Sequence, residues 1–448
     1  MPPPPILGLR CVLLLMAVLG LFPWTARADA TLTLIYSGGL RGHLEPCGCD
    51  PETDFGGLHR QGVWLERLRR DHPQAVVISG GDLLSATGPA DRLKGEFILR
   101  GLALLGYDGV ALQWSDLVYG RNFLATAPLP WATGTLELPP LARQVGIRRG
   151  NREILLLNHL DPQAAPDRGP AGAWPGLETG TSALAAAIAA SRQRNALVIL
   201  ASSLPEKRAL AELPLADVDL LLLTASEQGL PPRQVERTLI LVPQERGMSL
   251  GLLELTLDAA GRIAAWQHQQ AALGPDLGRS PALEPWYEAY TQRVKAAAAE
   301  RIHRLRARRE SGDSRPFLGA AQCRSCHEEQ HARWLATAHG TALASLERVG
   351  KGFDSDCLPC HTVGFNAEGG FVEQGLTPHL ANVQCESCHG PGAAHGASKG
   401  KVPPGRIGDQ AGLEACRDCH NALHSPGFDW NEYRTTGVPC GTAAPGRQ

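Results

Sequence analysis

The chain has 448 residues, with 43 Lys and Arg against 45 Asp and Glu. This length is enough for two or three domains, and the nearly balanced charge gives no reason to expect a nucleic-acid partner. Eight of the 12 cysteines lie in repeated motifs in the last third of the chain. The other four are Cys11, Cys47, Cys49 and Cys440.

Residues 1–28 have the pattern of a secretory signal peptide. Arg10 precedes the apolar run Cys11–Phe22, and Ala26-Arg27-Ala28 forms an A-x-A cleavage site. The apolar run is too short to span a bilayer comfortably, and no later stretch is long and apolar enough to do so. We therefore expect an exported, periplasmic protein without a stable membrane span after cleavage. An uncleaved anchor is the alternative.

Residues 31–270 alternate β-like runs with helical patterns, which predicts α/β layering. A first strand is predicted at Thr31–Ser37, where apolar residues alternate. Continuous apolar runs, typical of strands covered on both faces, are Ala75–Ser79, Ile154–Leu157, Leu197–Leu200 and Leu220–Leu223. Helical spacing is found in Leu58–Arg70, Gly95–Leu105 and Leu184–Arg194. A later strand pair is predicted from Leu239–Val242 and Leu250–Leu257, closed by a turn at Asp258–Gly261.

One long helix is predicted over Trp286–Arg309, where apolar residues form a single stripe. Arginines crowd its last turns, and we interpret them as a solvated face, with docking of an acidic redox partner as the alternative. We divide the chain accordingly. The predicted parts are a first domain at 29–285, a linker helix at 286–315 and a second domain at 316–448.

Four copies of the pentapeptide Cys-x-x-Cys-His lie in the second domain. This is the attachment signature of c-type haem: two thiols one helical turn apart form thioethers to the haem, and the adjacent imidazole reaches the iron. The motifs predict four covalently attached haems. The attachment cysteines are Cys323, Cys326, Cys357, Cys360, Cys385, Cys388, Cys416 and Cys419, and the proximal iron ligands are His327, His361, His389 and His420. Zinc sites are the alternative, but zinc does not require a His directly after each pair.

The second domain resembles the cytochrome c-554 family of tetrahaem electron carriers from Gly319 to about Tyr433. The resemblance is carried by Trp334 and Ala338-His339 after the first motif, by Val383–Gly392 with His395, and by the segment from Cys416 to Phe428. It implies a mostly helical, loop-rich domain.

The same resemblance implies His339 and His395 as distal iron ligands, with His331, His379 and His424 as further candidates. His331 and His424 each follow a proximal histidine by four residues, so they suit a neighbouring haem better than their own. No histidine follows His424. One haem therefore lacks a distal histidine or is bound by Cys440, and we favour a free or disulfide-bonded Cys440.

About residues 30–260 resemble the 5′-nucleotidase-type calcineurin-like metallophosphoesterases. The motifs are Ile35–Cys47, Gly56–Arg60 and Val77–Asp82, with later matches at Gly106–Val110 and Gly251–Leu255. The resemblance implies a four-layer α/β/β/α sandwich.

The metal-binding positions of that family are largely changed. Gly39 and Arg41 stand at its Asp-x-His, and the later histidine positions carry Trp114-Ser115, Ser202-Ser203 and Thr224–Glu227, whereas Asp82 is retained. Because a two-metal site needs several carboxylate and imidazole ligands, we expect a catalytically inactive scaffold without a divalent metal. The alternative is a rebuilt site that uses His43, Glu45, His59, Asp82 and Asp116.

Cys47-Gly48-Cys49 has several possible states in an exported protein. The two thiols can form a disulfide, bind a metal, react as free thiols, or pair with Cys440. The sequence does not choose among these states.

The chemistry of the motifs favours an electron carrier that works with periplasmic or membrane-associated redox proteins. No dedicated catalytic residue is identified beside a haem. The first alternative is a multihaem oxidoreductase acting on a small nitrogen or sulfur compound at an open haem. The second alternative is an active metallophosphoesterase of the 5′-nucleotidase type.

Overall fold

A computed structural model describes residues 30–88, 90–166, 174, 176–224, 230–312, 314–405 and 412–436. The predicted signal peptide at 1–28 and its Cys11, residues 225–227, and Cys440 all lie outside these residues. In the described part of the chain, no helix combines the length and the apolar character that crossing a bilayer requires.

Two six-stranded sheets form the first domain. The strands within the described residues are β1 (Ala30–Ser37), β2 (Val76–Ser79), β3 (Gly109–Ala111), β4 (Trp131–Ala132), β5 (Val145–Arg149), β6 (Arg152–His159), β7 (Leu197–Ser202), β8 (Leu220–Leu223), β9 (Arg233–Val235), β10 (Thr238–Leu241), β11 (Ser249–Leu257) and β12 (Ile263–Ala272). One sheet has the order β12-β11-β1-β2-β3-β4 and the other β5-β6-β7-β8-β10-β9. Strands β1 to β4 run parallel, whereas β11 and β12 add on in antiparallel fashion.

Helices cover the outer face of each sheet. Within the described residues the α-helices are α1 (Leu58–Asp71), α2 (Asp91–Leu104), α3 (Arg121–Leu124), α4 (Ser182–Arg192), α5 (Glu206–Glu212), α6 (Glu284–Glu310), α7 (Ala320–Cys323), α8 (Glu328–Leu335), α9 (Ala342–Arg348), α10 (Leu358–His361), α11 (Cys385–His389), α12 (Ala393–Ala397), α13 (Leu413–Arg417) and α14 (Trp430–Thr436). Helices α1, α2 and α6 pack on the first sheet, and α4 and α5 pack on the second.

The alternation of side chains along each strand produces the layers. Leu34 and Ile35 are adjacent in β1 and both are fully buried, but Leu34 lies between the two sheets and Ile35 under the helices. Because successive residues of a strand point to opposite faces, a strand covered on both sides is apolar throughout. The expected α/β/β/α sandwich is confirmed, and so are the strands predicted from continuous apolar runs.

The predicted late strand pair is wrong. Strand β10 lies in the second sheet between β8 and β9, whereas β11 lies in the first sheet between β1 and β12. The turn at Asp258–Gly261 connects β11 to β12, a strand that the sequence did not reveal. Strand β12 is at an edge, and its polar, largely exposed residues do not produce an apolar run.

The second domain consists of short helices joined by loops, around a small apolar cluster that includes Leu346, Val363, Phe371 and Leu380. Its helices within the described residues contain four to eight residues each. A mostly helical, loop-rich domain was expected from the resemblance, and it is present.

Helix α6 connects the two domains without a break. Its first turns belong to the core of the first domain, since Trp286, Tyr290 and Val294 are buried there beside Phe97. The Trp286 indole N–H donates to the carbonyl of Phe97 at 3.0 Å.

The last turns of α6 face the second domain. The Arg301 guanidinium lies 3.7 Å from the ring centre of Phe365 and donates to the carbonyls of Phe371 and Val372. Burial lowers the pKa of Arg301 to about 10, which leaves it charged at neutral pH. The arginines of these turns were expected to form a solvated face, but Arg301 makes a contact between the two domains.

Two ion pairs add to this interface. Lys351 of the second domain pairs with Glu45, and Asp356 accepts from Lys94 of α2 at 2.7 Å. Phe353, between these two residues, packs against the core of the first domain.

Candidate haem and metal centres

The four Cys-x-x-Cys-His motifs lie on short helical turns. In the first motif the His327 amide donates to the Cys323 carbonyl at 2.9 Å, and in the fourth the His420 amide donates to Cys416 at 2.7 Å. In the third motif, helix α11 runs from Cys385 to His389. One helical turn therefore separates the two thiols of each of these motifs, which is the spacing that two thioether bonds to one haem require.

The motifs are neighbours in space. The thiol of Cys323 is hydrogen-bonded to that of Cys385, which joins the first motif to the third. The hydrogen bond to Cys360, together with burial, raises the pKa of the Cys419 thiol, and the nearby Cys388 raises it further. The second motif therefore contacts the fourth, and the fourth lies beside the third. All four attachment points form one continuous cluster.

Two histidine pairs have the separation that iron needs. The ring centres of His327 and His395 are 6.2 Å apart with nearly parallel planes, and those of His339 and His420 are 6.0 Å apart. Imidazole nitrogens bind metal ions at about 2 Å, so two imidazoles on opposite sides of one iron have ring centres roughly 6 Å apart. The proximal histidines of the first and fourth motifs therefore each have a second imidazole at a distance compatible with both rings binding one iron.

Backbone carbonyls orient one proximal and one distal candidate imidazole, those of His361 and His395. The Nδ1 of His361 lies 2.7 Å from the Ala342 carbonyl, and the Nδ1 of His395 lies 2.8 Å from that of Val402. A carbonyl only accepts hydrogen bonds, so Nδ1 carries the proton in both rings and Nε2 keeps its lone pair. This is the arrangement usually found around metal-binding histidines.

The other candidate distal ligands lie elsewhere. The ring of His331 packs against Trp334, and His379 is exposed near Arg309. His424 lies beside Cys47 and Cys49 of the first domain. The structure thus pairs His339 and His395 with proximal histidines and places His424 in a different cluster.

At the edge of the first sheet, Asp82, the one retained metal-binding residue of the resembled family, is bonded to protein groups. Arg41 Nε donates to one Asp82 carboxylate oxygen at 2.7 Å, and Ser115 Oγ donates to the other at 2.7 Å. Asp116 is fully buried and accepts from the amides of Asp82, Leu83 and Gln113. Burial, reinforced by the charge of Asp82, raises the pKa of Asp116 to about 7.

The alternative rebuilt site does not assemble. His43 bonds to the Leu40 carbonyl, Glu45 bonds to Lys351 and Tyr287, and His59 bonds to the Ser280 amide. Each of these side chains is thus engaged with a different protein group. Among the described residues, three metal-binding donors come within 4.8 Å of one another only at Cys47, Cys49 and His424.

Sequence comparison identifies the second domain's relatives. Residues 322–390 match the family described as cytochrome c554 and c-prime. The cytochrome c-554 of Nitrosomonas europaea is 39% identical over 92 residues, which are 17% of this chain and 39% of that protein. The match therefore spans less than half of that relative. The expected resemblance of this region to cytochrome c-554 is confirmed.

Structure comparison identifies the fold of the first domain. A 5′-nucleotidase precursor from Thermus thermophilus is similar with a TM-score of 0.51 and 21% identity, over 60% of this chain and 59% of that one. The sulfate thiohydrolase SoxB of Thermus thermophilus has a TM-score of 0.51 and 18% identity, over 59% of this chain and 61% of that one. At these identities the likeness is one of fold, and the expected metallophosphoesterase-type fold is confirmed.

Proposed function

We propose that this chain is an exported tetrahaem c-type cytochrome that carries electrons, with a catalytically inactive first domain as its scaffold. The observation that carries the proposal is the continuous cluster of four Cys-x-x-Cys-His motifs. Haems attached to adjoining thiols are held close to one another, and bound haem supplies the one-electron redox change of iron.

The protein's own groups hold and tune each centre in this proposal. The eight motif cysteines would attach the haems, and His327, His361, His389 and His420 would bind the irons. His395 and His339 would supply a second imidazole to the first and fourth haems. Two histidines saturate an iron and exclude small ligands, which suits electron transfer better than catalysis.

The contacts around Asp82 support an inactive first domain. A metal ion at this position would have to displace the Arg41 guanidinium, a fixed cation already paired with the carboxylate. The remaining candidate ligands are bonded to other groups, and Glu45 is used in the contact with the second domain. The first domain then serves to hold the haem domain and to present it to redox proteins.

Two observations support the export and the number of haems. Residues 1–28 have the signal pattern, and the sequence has four complete motifs. Export also agrees with the attachment of c-type haem outside the cytoplasm. The partners we propose are periplasmic or membrane-associated redox proteins.

The test uses mature protein made in a host with a working haem-attachment apparatus. We expect four haems per chain from the pyridine haemochrome spectrum, a reduced-minus-oxidised spectrum of the c type, and low-spin iron for at least the first and fourth haems in electron paramagnetic resonance. Colourless exported protein would refute the proposal. A high-spin haem that binds nitrite, nitric oxide or cyanide and turns one of them over would establish the oxidoreductase alternative. Metal-dependent hydrolysis of nucleotides would establish an active phosphoesterase.

A further inference from the structure

Two thiols and one imidazole converge where the domains meet. Cys47 and Cys49 lie in the loop between β1 and α1, and His424 lies between α13 and α14. The Nδ1 of His424 is 3.0 Å from the sulfur of Cys47 and 3.7 Å from that of Cys49. Cys49 and His424, which are 375 positions apart in the sequence, thus place donor atoms in one cluster.

The backbone of the loop directs both thiols to the same side. Gly48 has a φ of 65°, a left-handed conformation that other residues rarely adopt, and no atom lies near the position of a Cβ there. This turn between the cysteines brings their side chains into hydrogen-bonding contact. Both cysteines are free thiols in the structure.

The cluster is open enough for an ion to enter. Cys49 is exposed, whereas Cys47 and His424 are half-buried.

The spacing of the donors matches a tetrahedral thiophilic cation. Zinc binds sulfur at about 2.3 Å and imidazole nitrogen at about 2.0–2.1 Å, so a sulfur and a nitrogen on one zinc ion lie roughly 3.6 Å apart. The separations of 3.0 and 3.7 Å lie on either side of this value. Three protein ligands leave the fourth position to water, as in many zinc sites.

We propose that Cys47, Cys49 and His424 bind one thiophilic divalent cation of the zinc type, which clasps the haem domain to the first domain. The contacts beside it support this role, because Glu45, two residues before Cys47, pairs with Lys351 of the haem domain. The proposal assigns His424 to this cation and not to a haem iron. It does not depend on what the haems do.

The experiment measures zinc in the full-length mature holoprotein. The protein is treated with chelator, dialysed against Zn²⁺ and desalted, and zinc and iron are counted by mass spectrometry of the elements. We expect one tightly bound zinc per chain. Cys49→Ser and His424→Ala should each weaken binding by about 100-fold or more, since even changes behind the direct ligands cost about 10–100-fold. His303→Ala is the matched control, because His303 is exposed on α6.

A second measurement needs no variant that could misfold. Zn²⁺ should protect Cys47 and Cys49 of the unaltered holoprotein from alkylation, read peptide by peptide in mass spectrometry. Alkylation that is equally fast with and without Zn²⁺ would overturn the proposal.

Three other outcomes would also overturn it. The first is zinc binding that is the same in the His424→Ala variant as in the unaltered protein. The second is a Cys47–Cys49 disulfide in the isolated protein that takes up no zinc after reduction. The third is conversion of one haem from low to high spin by His424→Ala, which would make His424 an iron ligand.

Discussion

Replacing His395 by alanine tests the pairing at the first haem motif most directly. Its ring lies 6.2 Å from that of His327, nearly parallel to it, and its Nδ1 is held by the Val402 carbonyl. In the proposed tetrahaem protein, loss of this ring would remove the second ligand of one iron and leave the other three unchanged. We therefore expect about one iron in four to change from low to high spin and to bind cyanide or nitric oxide.

Electron paramagnetic resonance of the oxidised protein, with spin counting, measures this change. Haem content should stay at four per chain, because the attachment cysteines and proximal histidines are untouched. The matched control is His331→Ala, whose ring packs against Trp334 and should leave the spin state unchanged. An unchanged low-spin spectrum in the His395→Ala variant, or a spin change in the control, would refute the pairing.

Further predictions concern the interface, pH and folding. Arg301→Ala removes the contact with Phe365 and two hydrogen bonds and should lower the free energy of unfolding by about 1–2 kcal/mol, measured by thermal melting, whereas the exposed Arg304→Ala should have little effect. The Asp116 pKa of about 7 lies above its unfolded value of about 3.9, so the folded state binds the extra proton. The stabilisation that this proton gives to the folded state should be complete below about pH 4 and should be lost as the pH rises to about 7, by up to roughly 4 kcal/mol. In the Asp116→Asn variant, the urea concentration at the unfolding midpoint should therefore change less with pH across this range. Haem-free protein should show disordered amide resonances for residues 316–448, and well-dispersed ones would contradict this.

Local patterns in the sequence predicted the buried framework well. Strand β8 is Leu220–Leu223, as predicted, because both faces of the second sheet are covered and every residue of the strand is apolar. The first turns of α6 were predicted for a similar reason, since its apolar stripe includes the buried Val294. Such signals depend only on residues close together in the sequence.

What the sequence could not supply were contacts between distant segments. It did not show that β10 and β11 belong to different sheets, because both are apolar and adjacent in the chain. It also left Cys47 and Cys49 with several possible states and treated His424 as a haem-ligand candidate. Only the packing of the two domains brings these three residues together.

Because α6 is one unbroken helix, it limits which insertions and deletions the segment between the two domains can accept. It contains 27 residues and is about 40 Å long, with Trp286 anchored in one domain and Arg301 in the other. One residue inserted between these anchors would turn the haem domain by about 100° and move it by about 1.5 Å. Length changes in this segment are therefore restricted to those that restore the helical phase of α6.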